Sequence, residues 1–119
     1  MKVLAVDPGY DRLGVAVIEK QDGKETVLYS DCIETNKNTE LNDRLFLIGQ
    51  EFQKLLGKYT PDAVGIETLF FNKNVKTAIG VAQARGIILY LAKKAGCAVY
   101  ENGPQEIKIA ITGYGKSDK

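Results

Sequence analysis

Two carboxylates close two short apolar runs. Val3-Leu4-Ala5-Val6 ends on Asp7, within Asp7-Pro8-Gly9, and Ala63-Val64-Gly65-Ile66 ends on Glu67. A run that is apolar on both faces reads as a central strand of a parallel sheet, and ligands of open α/β sheets collect beyond the carboxyl ends of such strands. If the two strands are neighbours, the acids stand side by side and can share a metal. Magnesium takes oxygen ligands, often only one or two protein carboxylates, with water and substrate phosphate completing its shell. Two such ions, roughly 3.5–4 Å apart, can activate a water and stabilise the leaving oxygen in phosphodiester cleavage. Gly9 would permit a sharp turn and the close approach of a phosphate. Taken singly each sign is weak, because D-P-G is a common turn sequence and an acid after a strand is commonly a solvated loop residue. Together they favour metal binding.

The segment after Glu67, Thr68-Leu69-Phe70-Phe71-Asn72-Lys73-Asn74, puts two aromatics in a polar loop beside a carboxylate. Aromatic rings stack on unpaired bases for about 1–3 kcal/mol per base in single-strand binders. The plainer reading, a ring packed under the loop, is preferred for Phe71. Lys73, Lys76, Arg85, Lys108, Lys116 and Lys119 could contact phosphate around the same rim, although lysines are usually just solvated surface.

Composition narrows the chemistry. The 119 residues contain no histidine, which excludes histidine-based triads and any histidine-ligated zinc or haem within the chain. Sixteen Lys plus Arg against fifteen Asp plus Glu give a net charge of +1, so any nucleic-acid surface must be local. Cys32 and Cys97 lack C-x-x-C spacing and read as reduced, mostly buried thiols of a cytosolic protein. No stretch approaches the length needed to cross a bilayer, and a cytoplasmic location is expected.

The elements that must position the acids follow from periodicity. Residues 2–7 and 13–18 read as strands joined by Pro8-Gly9-Tyr10-Asp11, and Gln21-Asp22-Gly23-Lys24 turns the chain into a third, edge strand over about 25–33. There Val27, Tyr29 and Asp31 should share one face. Leu41, Leu45, Ile48, Phe52 and Leu55 form one helical stripe over 40–58, with Thr39 as N-cap and Gly57 and Pro61 marking the end. A fourth strand spans 62–67. A helix over 75–95 is small or apolar most of the way round and wants two partners. One is the sheet, and the other is either the rest of the domain or the same helix of a second subunit. A fifth strand at 97–101 and a helix from near Pro104 complete the order β-β-β-α-β-α-β-α. That is an α/β fold with an antiparallel meander and a parallel half in one domain, 1–119.

Along essentially the whole chain the sequence resembles the RuvC crossover junction endodeoxyribonucleases, of the ribonuclease H-like superfamily. The resemblance is carried by Asp7-Pro8-Gly9 with Gly14, Ile66-Glu67-Thr68-Leu69-Phe70, Lys73-Asn74, Gln83-Ala84-Arg85-Gly86, and Lys108 through Gly113-Tyr114-Gly115 to Lys119. It implies a homodimeric enzyme that resolves Holliday junctions by two symmetric nicks with Mg2+, for which Mn2+ should substitute. It further implies that Asp7 and Glu67 are catalytic metal ligands and that Phe70 lies against bases at the opened junction centre. Lys108 and Lys119 would hold DNA phosphate, and helix 75–95 would be the dimer helix. A RuvA/RuvB branch-migration complex is an implied partner. Family members continue beyond the position of Lys119 into a helix bearing further acids, so this chain is expected to keep the fold while nicking weakly or not at all. Two other readings compete: a non-catalytic DNA-binding or dimerisation module, and a phosphotransferase of the actin-like ATPase type. The short chain and the lack of a second phosphate-binding segment disfavour the latter.

Overall fold

The computed structural model describes residues 1–8, 12–67 and 75–102. Strands β1 (Lys2–Asp7), β2 (Arg12–Gln21) and β3 (Lys24–Glu34) form an antiparallel meander, followed by α1 (Leu41–Tyr59), β4 (Ala63–Glu67), α2 (Val75–Lys94) and β5 (Ala98–Asn102). The five strands take the order β3-β2-β1-β4-β5, with β4 parallel to both of its neighbours. This is the mixed sheet expected from the sequence. The helix expected near Pro104 lies outside the described residues.

The hairpin between β2 and β3 turns on Asp22 and Gly23, whose φ values of 54° and 78° are both positive. A two-residue turn of that hand matches the right-handed twist of the strands, and Asp-Gly is a favoured pair for it. The parallel half depends on the crossover helix α2, since parallel neighbours cannot be joined by a tight turn.

One apolar core binds both described helices to the sheet. Leu4 and Val6 of β1, Val15 and Val17 of β2, and Val64 and Ile66 of β4 meet Ile48 and Phe52 of α1 and Ala84 and Ile88 of α2, all without solvent exposure. These strand residues alternate along their chains, so the two helices cover one sheet face. Alanines at 84 and 92, each about one turn from Ile88 on either side, let α2 lie close to the strands. Among the described residues no helix is long and apolar enough to cross a membrane.

The structure corrects several local expectations. Thr39 does not cap α1: its hydroxyl donates to the Asn36 carbonyl at 2.7 Å, and Glu40 holds the cap position without a side-chain bond. Gly57 does not end the helix either, which runs on to Tyr59 and stops where Thr60 turns left-handed at φ 42°. In β3 the register slips by one residue, so that Val17 pairs with Tyr29 but Ile18 pairs with Val27, skipping Leu28. Val27 therefore leaves the face of Tyr29, as a bulge requires. Both cysteines are free thiols, but only Cys97 is buried. Cys32 is exposed on the edge strand. Burial pushes the Cys97 thiol pKa up, and the group donates to the Pro61 carbonyl at 3.3 Å.

Candidate metal centre and its surroundings

The position of the two acids is set by the register of β1 against β4. Pairing runs Val3↔Ala63, Leu4↔Val64, Ala5↔Gly65 and Val6↔Ile66. At the amino end this alignment is fixed by Asp62, whose carboxylate accepts from the Lys2 amide at 2.9 Å while its own amide donates to the Lys2 carbonyl at 2.9 Å. The Asp62 carbonyl also accepts from the Ala98 amide, drawing in β5. Asp7 and Glu67 are the residues that follow this last pair, at the carboxyl ends of two adjacent parallel strands. Any one-residue slip would separate them.

Pairing extends across the sheet. Cys32 pairs with Gly14, Gly14 with Asp7, and Glu67 with Asn102. Asp7 is half-buried, while Val6 immediately before it is wholly buried in the core. Two carboxylate residues at adjacent carboxyl ends provide the hard oxygen donors that Mg2+ takes, and Mg2+ draws only one or two carboxylates from most proteins. The donor set fits the ion. Among the described residues there is no group of three or more His, Cys, Asp or Glu that could hold a metal.

Gly14 leaves the space beside Asp7 empty. A Cβ built there would stand 3.4 Å from the Asp7 Cβ, an ordinary contact. Glycine within a strand often marks close approach of a ligand. Gly14→Ala is therefore expected to preserve metal binding, whereas the branched carbons of Gly14→Val should crowd the carboxylate. The expected loss in metal affinity is about tenfold, comparable with disturbing the support of a ligand elsewhere. Calorimetric titration with Mn2+ checks both variants.

Arg85 faces inward. It projects from α2 onto Glu101 of β5 in an ion pair; its side chain is 21% exposed against 52% for Glu101. Its Nε is buried and has no partner among the described residues. The guanidinium expected at the DNA-facing rim is thus engaged within the protein. Gly9, Phe70, Phe71, Lys73, Lys108, Lys116 and Lys119 lie outside the described residues. Lys76 falls within α2.

A second feature was only half legible in the sequence. Between α1 and α2 runs an open apolar groove of about 650 Å³, lined by Leu45, Phe46, Gly49, Ile87, Tyr90 and Leu91 among others. Phe46 is 66% exposed and Tyr90 63%. The apolar second face of α2 was expected. The contribution of α1 was not, because Phe46 falls off the stripe that faces the core. At Gly86, which also lines the groove, a Cβ would meet nothing within 4 Å.

Comparisons with known proteins agree with this architecture. A family model described as Crossover junction endodeoxyribonuclease RuvC matches residues 3–119. The chain is 47% identical over 119 residues to the protein of that name from Thermosipho melanesiensis, covering all of this chain and 76% of the relative. It is 45% identical to the one from Halothermothrix orenii, covering 72% of that protein. Among solved structures it is similar to T. thermophilus RuvC in complex with Holliday junction substrate. That likeness has a TM-score of 0.81 at 30% identity, over 92% of this chain and 69% of the other. The expected ribonuclease H-like α/β fold is borne out.

Proposed function

The chain belongs to the RuvC family of crossover junction endodeoxyribonucleases, and on that premise we propose that it acts on four-way DNA junctions by metal-dependent nicking. The observation that carries the reading is the parallel β1/β4 register, which ends at Val6↔Ile66 with Asp7 and Glu67 as the next residue of each strand. Asp7 and Glu67 would hold Mg2+, with Mn2+ as a substitute. When bound, the ion supplies Lewis acidity toward a phosphodiester and activates the attacking water. The protein's own part is to fix the two carboxylates through the β1/β4 register and to hold the DNA. Phe70 is assigned to the bases at the junction centre. Lys73, Lys108 and Lys119 are assigned to phosphates. Arg85, read from the sequence as a contact to DNA phosphate, would have to leave Glu101 to serve there.

Paired symmetric nicks need two sites related by a two-fold axis, and the groove between α1 and α2 supplies a suitable contact. Of its lining residues none is charged; Gln50, Gln53 and Gln83 are the polar members. An isologous contact sets like groups near their own copies across the axis, so an uncharged apolar groove avoids the repulsion that charged residues would bring. We assign this face, with α2 at its centre, to the homodimer. A RuvA/RuvB branch-migration complex belongs to the same reading as a further partner.

The experiment is binding of this chain to a labelled four-way junction in Ca2+, challenged with excess linear duplex of the same sequence at two salt concentrations. Selective retention of the junction at both is the expected result. Complete transfer to linear duplex at both would favour a non-selective DNA-binding module and overturn the resolvase reading.

A further inference from the structure

Glu67 is the last residue of β4, and its support is asymmetric. On the β1 side, strand pairing ends at Val6↔Ile66, one residue short of it. On the β5 side, pairing continues through Ile66↔Glu101 and Glu67↔Asn102. The row that carries Glu67 is therefore held chiefly by β5. Yet β5 is an edge strand of the described sheet, of only five residues, and short edge strands open easily at their ends. Its carboxyl end is tied down by one described side-chain link, the ion pair from Arg85 of α2 to Glu101. Glu101 lies in the row next to Glu67's, and the arginine reaching it is mostly enclosed.

We infer that Arg85 and Glu101 form a brace that clamps the carboxyl end of β5 to α2 and so positions Glu67, making Arg85 a positioning residue rather than a contact to DNA phosphate. The inference rests on the proposed metal role of Glu67 for its functional consequence, but the brace itself does not. A guanidinium largely removed from water and paired with a carboxylate gives up much by leaving it, since separation would strand a partly buried charge. An arginine serving phosphate, by contrast, would contribute to the release of counterions and hence to the salt dependence of DNA binding.

The test compares Arg85→Gln, Glu101→Gln and the exchanged pair Arg85→Glu with Glu101→Arg. Three readouts apply: amide hydrogen exchange, Mn2+ affinity by calorimetry, and the slope of junction affinity against salt in Ca2+. Both single variants are expected to speed exchange at Ile66, Glu67 and Glu101 about tenfold and to weaken Mn2+ binding by a similar factor, with the salt slope unchanged. The exchanged pair should recover part of both losses. Glu101→Gln keeps the shape of a half-exposed side chain, so it remains informative even if Arg85→Gln does not fold. Unchanged exchange at Ile66 and Glu67 in Glu101→Gln would overturn the brace. So would a salt slope reduced by about one in Arg85→Gln alone, which would return Arg85 to the DNA. Asp7→Asn serves as the separate control on the metal site: if it leaves Mn2+ affinity intact, the metal reading fails while the exchange result still decides the brace.

Discussion

Asp7→Asn is expected to remove whatever junction nicking the chain supports, a loss on the order of a thousandfold or about 4 kcal/mol of transition-state stabilisation, while leaving junction binding in Ca2+ intact or slightly tighter. Asparagine keeps the size of the side chain and one oxygen but loses the charge that holds a divalent ion. Without the ion, like charges at two adjacent strand ends are expected to disfavour each other, so the substitution should ease the metal-free protein. Its melting temperature in EDTA should rise slightly. The rise that Mg2+ is expected to confer on the parent through selective binding to the folded state should disappear. Removing a negative charge beside the path of a phosphate also favours DNA association. A variant that nicks and responds to Mg2+ like the parent would instead mean that the acids are only ancestry, as the non-catalytic module reading holds.

Phe46→Glu combined with Tyr90→Glu should raise the dissociation constant of the proposed dimer at least a hundredfold. Buried aromatic anchors are commonly worth 2 kcal/mol or more each at an interface, and about 1.4 kcal/mol is a factor of ten. Both side chains stand more than half exposed in the single chain, so the fold should tolerate the change. A glutamate placed near the two-fold axis would also face its own copy and add repulsion. Sedimentation equilibrium reads the assembly directly. On a supercoiled plasmid carrying an extruded cruciform, paired nicking linearises the circle, whereas a lone subunit leaves a nicked circle. The double variant should shift whatever cleavage occurs towards nicked circles. An unaltered sedimentation profile would remove this groove from the dimer contact.

The centre of this architecture could be read from the chain because its signals are unambiguous. Val3 to Val6 and Ala63 to Ile66 are continuous apolar runs, and residues apolar on both faces have few places to go except the middle of a sheet. Asp7 and Glu67, the next residue of each, then fall at the carboxyl ends of two adjacent strands. The margins were less legible. Thr39 has the chemistry of an N-cap, but its hydroxyl is used on the Asn36 carbonyl, a competition between local partners that residue type does not decide. Val27, Leu28 and Tyr29 are all apolar enough for either face, so nothing in them announces the skipped residue. Cys32 resembles a core residue and becomes exposed because its strand forms the sheet edge. Arg85 looked like a cation for phosphate. Only the three-dimensional meeting of α2 with the end of β5 shows Glu101 as its partner.

The vacancy at Gly86 bears on how this protein could be improved or damaged by selection in the laboratory. A glycine within a helix costs roughly 0.5–1 kcal/mol relative to alanine, and here the added methyl would touch nothing in the single chain. A library sorted only for heat resistance would therefore favour larger residues at this point. If the open space admits the helix of a second copy, such winners would be sturdier as individuals and poorer at pairing. Selection for toughness would then enrich single subunits, and an activity that requires coordinated cuts on opposite strands would decline as the melting point climbed.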